Sequence, residues 1–371
     1  MTTSFLPPRR ILMGPGPSDV PQRVLDAMAR PTIGHLDPAF VDLMEQIKAM
    51  LRMAFQTQNA LTFPVSAPGS AGMEMCFVNL VEPGDKVIVC KNGVFGGRML
   101  ENVKRCGGVP VIVDDAWGKP VDPNKVRDAF AANPDARVLA FVHAETSTGA
   151  QSDAATLARI AQEAGALTIM DCVTSLGGTP IHLDAWGIDA AYSGSQKCLS
   201  CTPGLSPVSF SERAIERIKA RKTPVQSWFL DLNLVLGYWQ SAGRRTYHHT
   251  APINPMYGLH ESLVILEEEG LENAWARHRA MHDKLKAGLE GMGLRYVVDE
   301  AARLPQLNSI HVPEGVDEAA IRARLLNGFN LEIGAGLGDM AGKIWRIGLM
   351  GHSARQENVD YCLTALKACL A

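Results

Sequence analysis

The sequence has no excess of charge of one sign and no long apolar run. It carries 36 lysines and arginines against 39 aspartates and glutamates, for a net charge of −3. Without a dense basic stripe, neither nucleic-acid binding nor electrostatic membrane binding is expected. No stretch reaches the roughly 18 apolar residues of a membrane-spanning helix, and the first residues, MTTSFLPPRR, contain no continuous apolar leader segment. We therefore expect a cytoplasmic protein with no nucleic-acid or membrane partner.

Cysteines are also few, eight in 371 residues, and most lie in apolar runs such as the one that ends at Cys90. Such cysteines are typical of the reduced core of a cytosolic protein. Hydrophobic residues make up 46% and charged residues 20% of the chain, which indicates a globular protein and excludes a disordered, collagen-like or coiled-coil chain. The length predicts two or three domains.

Short apolar runs alternate with helical patterns between about residues 60 and 215. The runs lie at residues 86–90, 111–113, 138–142, 167–170 and 188–192. This alternation predicts an α/β fold with a mostly parallel sheet flanked by helices. After about residue 255, two amphipathic helical patterns, a mixed stretch and a closing helix indicate a smaller α+β domain. We predict a large domain over residues 15–255 and a small domain over residues 256–371 together with residues 1–14.

One helix and the strand after it can be predicted in detail. Ser152 and Asp153 can cap the start of a helix, and Gly165 can end it. The following strand delivers Asp171 at its carboxyl end. Because open α/β sheets bind ligands at that edge, Asp171 is a candidate site residue.

A lysine follows a second predicted strand in residues 192–197, YSGSQK. The strand ends in small residues, and Lys197 then reaches the same sheet edge as Asp171. Burial near a ligand can remove the proton of a lysine, and the neutral amine can form a Schiff base. A solvated surface lysine is the alternative interpretation of this motif alone.

Small residues fill residues 66–72, SAPGSAG, directly before a mostly apolar run. A helix that starts in such residues leaves backbone N–H groups free to bind an anion. The segment matches neither the P-loop nor the dinucleotide fingerprint, so a phosphate on another ligand is indicated. A closely packed helix start is the alternative. Taken together, this segment, Lys197 and Asp171 are the three parts that pyridoxal 5′-phosphate requires: a phosphate site, an amine for the aldehyde and an anion for the ring nitrogen.

Seven segments of the chain, in order, resemble one family. They are GPGP at 14–17, GVFG at 93–96, HAETSTG at 143–149, SLGG at 175–178, SGSQK at 193–197, YHHT at 247–250 and WRIG at 345–348. The family is the class V, fold-type I aminotransferases, and within it the alanine-glyoxylate/serine-pyruvate aminotransferase group. The resemblance covers nearly the whole chain and implies that the large domain is a pyridoxal phosphate-binding domain of fold type I.

The resemblance implies a role for each matching residue around the cofactor ring. Lys197 would be the Schiff-base lysine, and it would move the proton between the substrate α-carbon and C4′ of the cofactor. Asp171 would pair with the pyridine nitrogen, which makes these two the catalytic residues. Phe95 would stack on the ring, at a position where the family often has tryptophan, and Val173 would pack on the opposite face.

The resemblance also implies contacts to the phosphate and the substrate. The residues expected around the phosphate are Pro68, Gly69, Ser70 and Gln196, joined by Tyr247 and Thr250 of the neighbouring subunit. The active site would then be complete only in a homodimer. Thr146 would lie near O3′ of the cofactor and the substrate, and Arg346 would bind the substrate carboxylate.

The resulting hypothesis is a transaminase that moves an amino group from alanine or serine to glyoxylate or pyruvate by a ping-pong mechanism. A ureidoglycine-glyoxylate aminotransferase is the nearest alternative, although that group has Gln and Asn where this chain has His35 and Tyr247. A cysteine desulfurase would have histidine in place of Gln196, and a non-catalytic cofactor-binding protein would not require Arg346. We predict no metal site, since the adjacent His248 and His249 should point to opposite sides of an extended chain.

Overall fold

The structure is a computed structural model, and it describes residues 2–239 and 245–371. The strands are β1 (Ile11–Leu12), β2 (Leu61–Val65), β3 (Lys86–Lys91), β4 (Val109–Asp114), β5 (Val138–Val142), β6 (Ala144–Glu145), β7 (Ala150–Gln151), β8 (Leu167–Asp171), β9 (Ala190–Tyr192), β10 (Ser206–Phe210), β11 (Leu307–His311), β12 (Leu331–Glu332), β13 (Gly334–Ala335) and β14 (Ile344–Gly348). The helices are α1 (Gln22–Met28), α2 (Pro38–Phe55), α3 (Gly69–Leu80), α4 (Val94–Arg105), α5 (Pro123–Ala132), α6 (Ala154–Glu163), α7 (Leu183–Trp186), α8 (Glu212–Lys219), α9 (Leu232–Trp239), α10 (Ile253–Glu269), α11 (Leu271–Gly291), α12 (Glu318–Phe329) and α13 (Gln356–Leu370).

Seven strands form the central sheet, in the order β2-β10-β9-β8-β5-β3-β4. β10 runs antiparallel to both of its neighbours, and the other strand pairs are parallel. Central strands such as β5 and β8 are buried along their whole length, as expected for a sheet covered by helices on both faces. The predicted α/β class and mostly parallel sheet are confirmed.

Two strands of this sheet, β2 and β10, are absent from the predicted runs. Each contains a proline, and Pro64 and Pro207 lie opposite one another in the register. Proline cannot donate a ladder hydrogen bond, so a strand pattern that contains one is weak. Here β2 is an edge strand, and Pro207 contributes through its carbonyl, which accepts a hydrogen bond from the Ser193 N–H at 2.8 Å.

The helix and strand predicted in detail form as expected. Asp153 caps α6 by accepting a hydrogen bond from the Thr156 N–H at 3.1 Å. Gly165 follows the helix with a φ of +71°, a conformation that favours glycine. β8 then places Asp171 at its carboxyl end. In the register, Asp171 lies opposite Tyr192 of β9, so the two strands end level with one another.

Buried apolar side chains form two main clusters. One surrounds the central sheet, and the other joins Met13 to the three-stranded antiparallel sheet β11-β14-β13 and to the helices packed on it. β1 pairs with β12, which ties the amino-terminal segment to the second cluster. α10 packs in the first cluster, whereas α11 contributes to both. The domain boundary at residue 255 stays a prediction. The buried apolar side chains of α10, most of which follows this boundary, pack in the cluster around the central sheet.

All eight cysteines are free and buried, in agreement with the predicted reduced core. In the described parts of the chain, no helix has the length and apolarity that crossing a membrane requires.

Candidate active site

A cavity of about 180 Å³ opens at the carboxyl edge of the central sheet. It is lined by Pro68, Gly69, Ser70, Met73, Phe95, Arg98, Asp171, Val173, Tyr192, Gln196 and Lys197. Eight of these residues are those predicted around the cofactor. A larger cavity, of about 300 Å³, lies beyond the turn that follows Lys197, but none of the predicted residues lines it. The side-chain chemistry therefore selects the smaller cavity.

Lys197 is held in the turn after β9, and only 8% of it is exposed. Its ammonium donates a hydrogen bond to the carbonyl of Pro15. Burial, with the positive charge of Arg346 nearby, lowers the Lys197 pKa to about 8. A larger fraction of the amine is therefore neutral near neutral pH than in an exposed lysine, and the neutral form is the one that reacts with an aldehyde.

Gly16 makes room for this lysine. Its φ is +102°, and a Cβ atom at this position would lie 2.6 Å from the Lys197 Nζ. The backbone conformation therefore favours glycine, and a Cβ here would force the end of the Lys197 side chain to move. The amino-terminal loop, through Gly16 and the Pro15 carbonyl, thus forms one wall around the amine.

Asp171 is fully buried at the end of β8. Its Oδ1 accepts a hydrogen bond from the Val173 N–H at 2.9 Å, and its Oδ2 accepts one from the Tyr192 hydroxyl at 2.7 Å. Burial raises the Asp171 pKa to about 7. A cation beside the carboxylate, such as a protonated ring nitrogen, would hold it ionised.

The start of α3 can bind an anion. Its N-cap residue, Pro68, gives no side-chain hydrogen bond to the helix, and of the first N–H groups in this described part of the chain only that of Ala71 is used, by the Pro68 carbonyl at 2.7 Å. The backbone at Ser193 approaches the start of the helix closely, since a Cβ at Gly69 would lie 3.3 Å from the Ser193 carbonyl oxygen. Nearby, the buried Oε1 of Gln196 has no hydrogen-bond partner among the described residues. The helix start fits a cofactor phosphate; the Gln196 amide can contribute to it only through its NH₂ group, because the unpaired Oε1 is an acceptor.

The cavity also has apolar walls for a ring. Phe95 lies in the first turn of α4, and Val173 follows β8; both line the cavity and both are half-buried. The Arg98 guanidinium lies over the Phe95 ring, with its central carbon 4.8 Å from the ring centroid. An aromatic face and an aliphatic side chain in one cavity fit a planar aromatic ligand.

Arg346 and Thr146 lie beside the cavity, outside its lining. Arg346 of β14 is 5% exposed, and it donates to the Ala335 carbonyl at 2.7 Å and to the Thr146 carbonyl at 3.0 Å. No carboxylate within the described ranges forms an ion pair with it. Burial lowers the Arg346 pKa to about 10, against the opposing effect of Glu145. The guanidinium is therefore held in place by neutral carbonyls, with its charge available for a carboxylate ligand. The Thr146 hydroxyl is hydrogen-bonded to that of Thr174.

Tyr247 and Thr250 lie outside the cavity of their own chain. Both are exposed, Tyr247 to 63%. The Tyr247 ring contacts that of His35, with 5.4 Å between the centroids. The structure therefore does not bring these two residues to the cavity within one chain, and their contact with a neighbouring subunit stays a prediction.

His248 and His249 face one another, contrary to our expectation. Their Nδ1 atoms are 2.8 Å apart. The segment has no strand pairing that would impose alternation. Instead, His248 stacks on Trp228 at 4.4 Å, and His249 bonds to the Ser66 hydroxyl at 2.7 Å.

Three site residues were given no role from the sequence: Tyr192, Arg98 and Glu145. Tyr192 lies opposite Asp171 in the register, which the sequence alone does not give. Arg98 follows Phe95 by three residues on one helix, a spacing that could have identified it. Glu145 is fully buried, and it accepts hydrogen bonds from the Ser147 N–H at 3.0 Å and the Phe95 N–H at 3.2 Å.

The fold and the cavity together define a pyridoxal phosphate-dependent enzyme of fold type I. A buried lysine and a buried carboxylate share one cavity with an anion-binding helix start, and that set of groups fits this cofactor. The chain belongs to the family "Aminotransferase class-V", whose profile matches residues 10–361. It is therefore an aminotransferase, and its cofactor is pyridoxal 5′-phosphate.

Three relatives are informative. The alanine–glyoxylate aminotransferase of Oryctolagus cuniculus is 40% identical over 98% of this chain and 93% of its own length. The (S)-ureidoglycine–glyoxylate transaminase of Bacillus subtilis (strain 168) is 37% identical over 98% of this chain and 91% of its own length. The crystal structure of alanine–glyoxylate aminotransferase from Nostoc sp. is 46% identical, with a TM-score of 0.98 and coverage of 100% of this chain and 98% of the other. The family resemblance seen in the motifs is confirmed.

Proposed function

We propose that this enzyme moves the amino group of alanine or serine to glyoxylate or pyruvate by a ping-pong mechanism. The observation that carries the proposal is the shared cavity of Lys197 and Asp171, with Arg346 buried beside it and paired with no carboxylate in the described parts of the chain. The alanine–glyoxylate aminotransferases of Oryctolagus cuniculus and Nostoc sp. support the choice of substrates.

Each residue has a task that follows from its surroundings. Bound pyridoxal phosphate supplies a reactive aldehyde and a ring that accepts electrons from the substrate α-carbon. Lys197 would hold the cofactor through its aldehyde as the Schiff-base lysine, and its free amine would move the proton between the substrate α-carbon and C4′. Asp171 would keep the ring nitrogen protonated, because the negative charge of the carboxylate stabilises the positive charge of the protonated nitrogen. Arg346 binds the substrate carboxylate with its planar donors, and the Thr146 carbonyl orients it.

Around the cofactor, we propose that Phe95 and Val173 pack on opposite faces of the ring. Pro68, Gly69, Ser70 and Gln196 would surround the phosphate, and the Thr146 hydroxyl would lie near O3′ and the substrate. Each of these residues except Thr146 lines the cavity, and Thr146 lies beside it.

We further propose a cytoplasmic homodimer in which Tyr247 and Thr250 reach the phosphate of the neighbouring subunit. Two exposed aromatic residues support a subunit interface at this surface: Tyr247 and Trp228 are each 63% exposed in the single chain. Large exposed aromatic residues close together are typical of a protein interface.

A ureidoglycine–glyoxylate aminotransferase is the second candidate. The Bacillus subtilis relative with that activity in its name favours it. Against it, the chain has His35 and Tyr247 in place of Gln and Asn, and these two rings pack on one another.

A half-reaction assay tests the substrate proposal. The enzyme with bound cofactor is mixed with single amino acids, without an acceptor, and the conversion of the cofactor to its amino form is followed by absorbance. We expect alanine and serine to convert it, and glyoxylate or pyruvate to reverse the change. Conversion by ureidoglycine and not by alanine or serine would support the second candidate.

The lysine assignment has its own test. The Lys197→Ala variant should bind cofactor without the visible absorbance of the Schiff base, because no other amine lines the cavity among the described residues. A spectrum identical to that of the wild-type enzyme would refute the assignment.

A further inference from the structure

The hydroxyl of Tyr192 donates a hydrogen bond to the carboxylate of Asp171. We propose that Tyr192 is a positioning residue that holds Asp171 in its ionised form and thereby keeps a proton on the ring nitrogen of the cofactor. The proposal rests on the pairing of Asp171 with that nitrogen under the proposed function, and it adds a second residue that determines how well the ring accepts electrons.

The Tyr192 hydroxyl is placed to donate a hydrogen bond to Asp171. Tyr192 is fully buried at the end of β9, opposite Asp171 of β8 in the register. Its hydroxyl donates to the Asp171 Oδ2 at 2.7 Å, and within residues 2–239 and 245–371 it has no other hydrogen-bond partner. A donor to a carboxylate stabilises the charged form, and such bonds are about twice as strong as neutral ones.

The carboxylate has few other groups that stabilise its charge. The Val173 N–H occupies Oδ1, and this backbone donor cannot be removed by substitution with another L-residue except proline. Burial opposes ionisation, and so does the acidic Glu145 at the end of β6. Lys197, in the turn after β9, favours ionisation more weakly. One side-chain hydrogen bond therefore has a large effect on the charge of Asp171.

The remaining ionisable neighbours do not compete for this task. Two buried thiols, Cys76 of α3 and Cys172 after β8, also face the carboxylate. Burial and the nearby Asp171 raise the Cys76 pKa above its usual range, so this thiol stays neutral. Burial raises the pKa of Tyr192 well above its usual range in the same way. The phenol therefore stays protonated, and it remains a donor at every pH at which the enzyme would work.

The test compares two ligands on the Tyr192→Phe variant. One is pyridoxal phosphate, and the other is its 1-deaza analogue, in which a C–H group replaces the ring nitrogen. We expect Tyr192→Phe to weaken pyridoxal phosphate binding by about tenfold to a hundredfold, the effect of one hydrogen bond to a charged group. Binding of the analogue should be unchanged, because it has no nitrogen to pair with Asp171. With ¹⁵N-labelled cofactor, the ring-nitrogen signal of the variant should move toward that of neutral pyridine.

Two controls separate this role from a structural one. Tyr296→Phe removes another phenol, which bonds to the neutral Asn308 amide at 3.1 Å, and it should leave both affinities and the ¹⁵N signal unchanged. In the Asp171→Asn background, Tyr192→Phe should add no further loss of pyridoxal phosphate affinity.

Other outcomes would overturn the inference. Equal loss of both ligands in Tyr192→Phe would mean that the phenol only supports the packing of the site. An unshifted ¹⁵N signal, with wild-type affinity, would mean that it does not act on the ring nitrogen. Failure of the proposed function looks different, since the wild-type enzyme itself would then bind cofactor without a protonated ring nitrogen.

Discussion

At the scale of single residues, the site brings together charges that the protein alone disfavours. Burial lowers the Lys197 pKa to about 8 and raises the Asp171 pKa to about 7, so both groups are biased toward their neutral forms. Under the proposed function, the neutral amine is the form that would react with the cofactor aldehyde. The carboxylate, by contrast, regains its charge when a protonated ring nitrogen lies beside it. Burial therefore favours the reactive, neutral form of the amine, whereas the ionised form of the carboxylate depends on the charge of the bound cofactor.

Arg346 can be tested for its role in substrate binding. Arg346→Ala should weaken the binding of carboxylate substrates by about 2 to 5 kcal/mol, because a buried charge pair is lost. Cofactor binding should change little, since Arg346 does not line the cavity. Arg346→Lys is the matched control, and it should restore part of the affinity, because it keeps the charge and loses the planar donors. Substrate titrations followed by cofactor absorbance measure both affinities, and an equal loss of both would indicate misfolding.

The pH dependence of stability tests the state of Asp171 in the cofactor-free protein. Its pKa in the folded state is raised, so between about pH 4 and pH 7 the folded state holds a proton that the unfolded state has lost. The contribution of Asp171 to the free energy of unfolding is therefore present below this window and is lost as the pH rises to about 7. Asp171→Asn has no such titration. We expect this variant to become more stable than the wild-type apoprotein as the pH rises, by no more than roughly 4 kcal/mol above pH 7.

Urea unfolding of the two apoproteins across this pH range measures the difference. The Asp153→Asn variant is a control, because this exposed helix cap keeps its side-chain hydrogen bond to α6 as an amide. Parallel stability profiles for the wild type and Asp171→Asn would show that the carboxylate is already ionised without cofactor.

At the scale of helices and strands, sequence patterns predict the elements whose local and tertiary preferences agree. β5 and α6 are examples: an apolar run forms a strand buried along its length, and a cap and a glycine bound the helix. β2 and β10 were missed because their prolines contradict the strand pattern locally, while pairing within the sheet still accommodates them. Tyr192 was missed for a related reason. Its contact with Asp171 depends on the register between two strands, and a single sequence does not encode register in any local pattern.

The amino-terminal loop offers a test at this scale. Gly16→Ala should prevent the lysine from reaching the aldehyde, since the added Cβ would lie 2.6 Å from the Lys197 Nζ. The visible absorbance of the Schiff base should be lost or strongly reduced. Gly84→Ala is the matched control, because Gly84 also has a positive φ, +86°, but has open space around it. Both variants should lose about 1 to 2 kcal/mol of stability from the backbone conformation, and only Gly16→Ala should lose the absorbance. A normal spectrum in Gly16→Ala would show that the loop can move away.

At the scale of the whole molecule, distant parts of the chain meet at the site. Arg346 comes from the sheet of the second cluster and donates to the Thr146 carbonyl in the loop between β6 and β7. The Lys197 ammonium donates to Pro15, near the amino terminus, and the Ser200 hydroxyl accepts a hydrogen bond from the His352 N–H at 2.7 Å. The lysine turn is therefore fixed by both ends of the chain. Such an arrangement explains why the sequence shows the site as separate short motifs and not as one continuous segment.

The proposed dimer makes a prediction about subunit exchange between variants. Lys197→Ala and the double variant Tyr247→Phe/Thr250→Ala should each be inactive or nearly so as homodimers. In a heterodimer of the two, one site combines an intact Lys197 with an intact Tyr247 and Thr250, while the other site lacks both. We therefore expect co-expression with two different affinity tags, followed by tandem purification, to give heterodimers with about half the specific activity of the wild type. If all groups of a site came from one subunit, no site in the heterodimer would be intact. Purified heterodimers as inactive as the parent variants would thus contradict a site shared between subunits. A dimer of two differently tagged Lys197→Ala chains, purified in the same way, is the control for background activity.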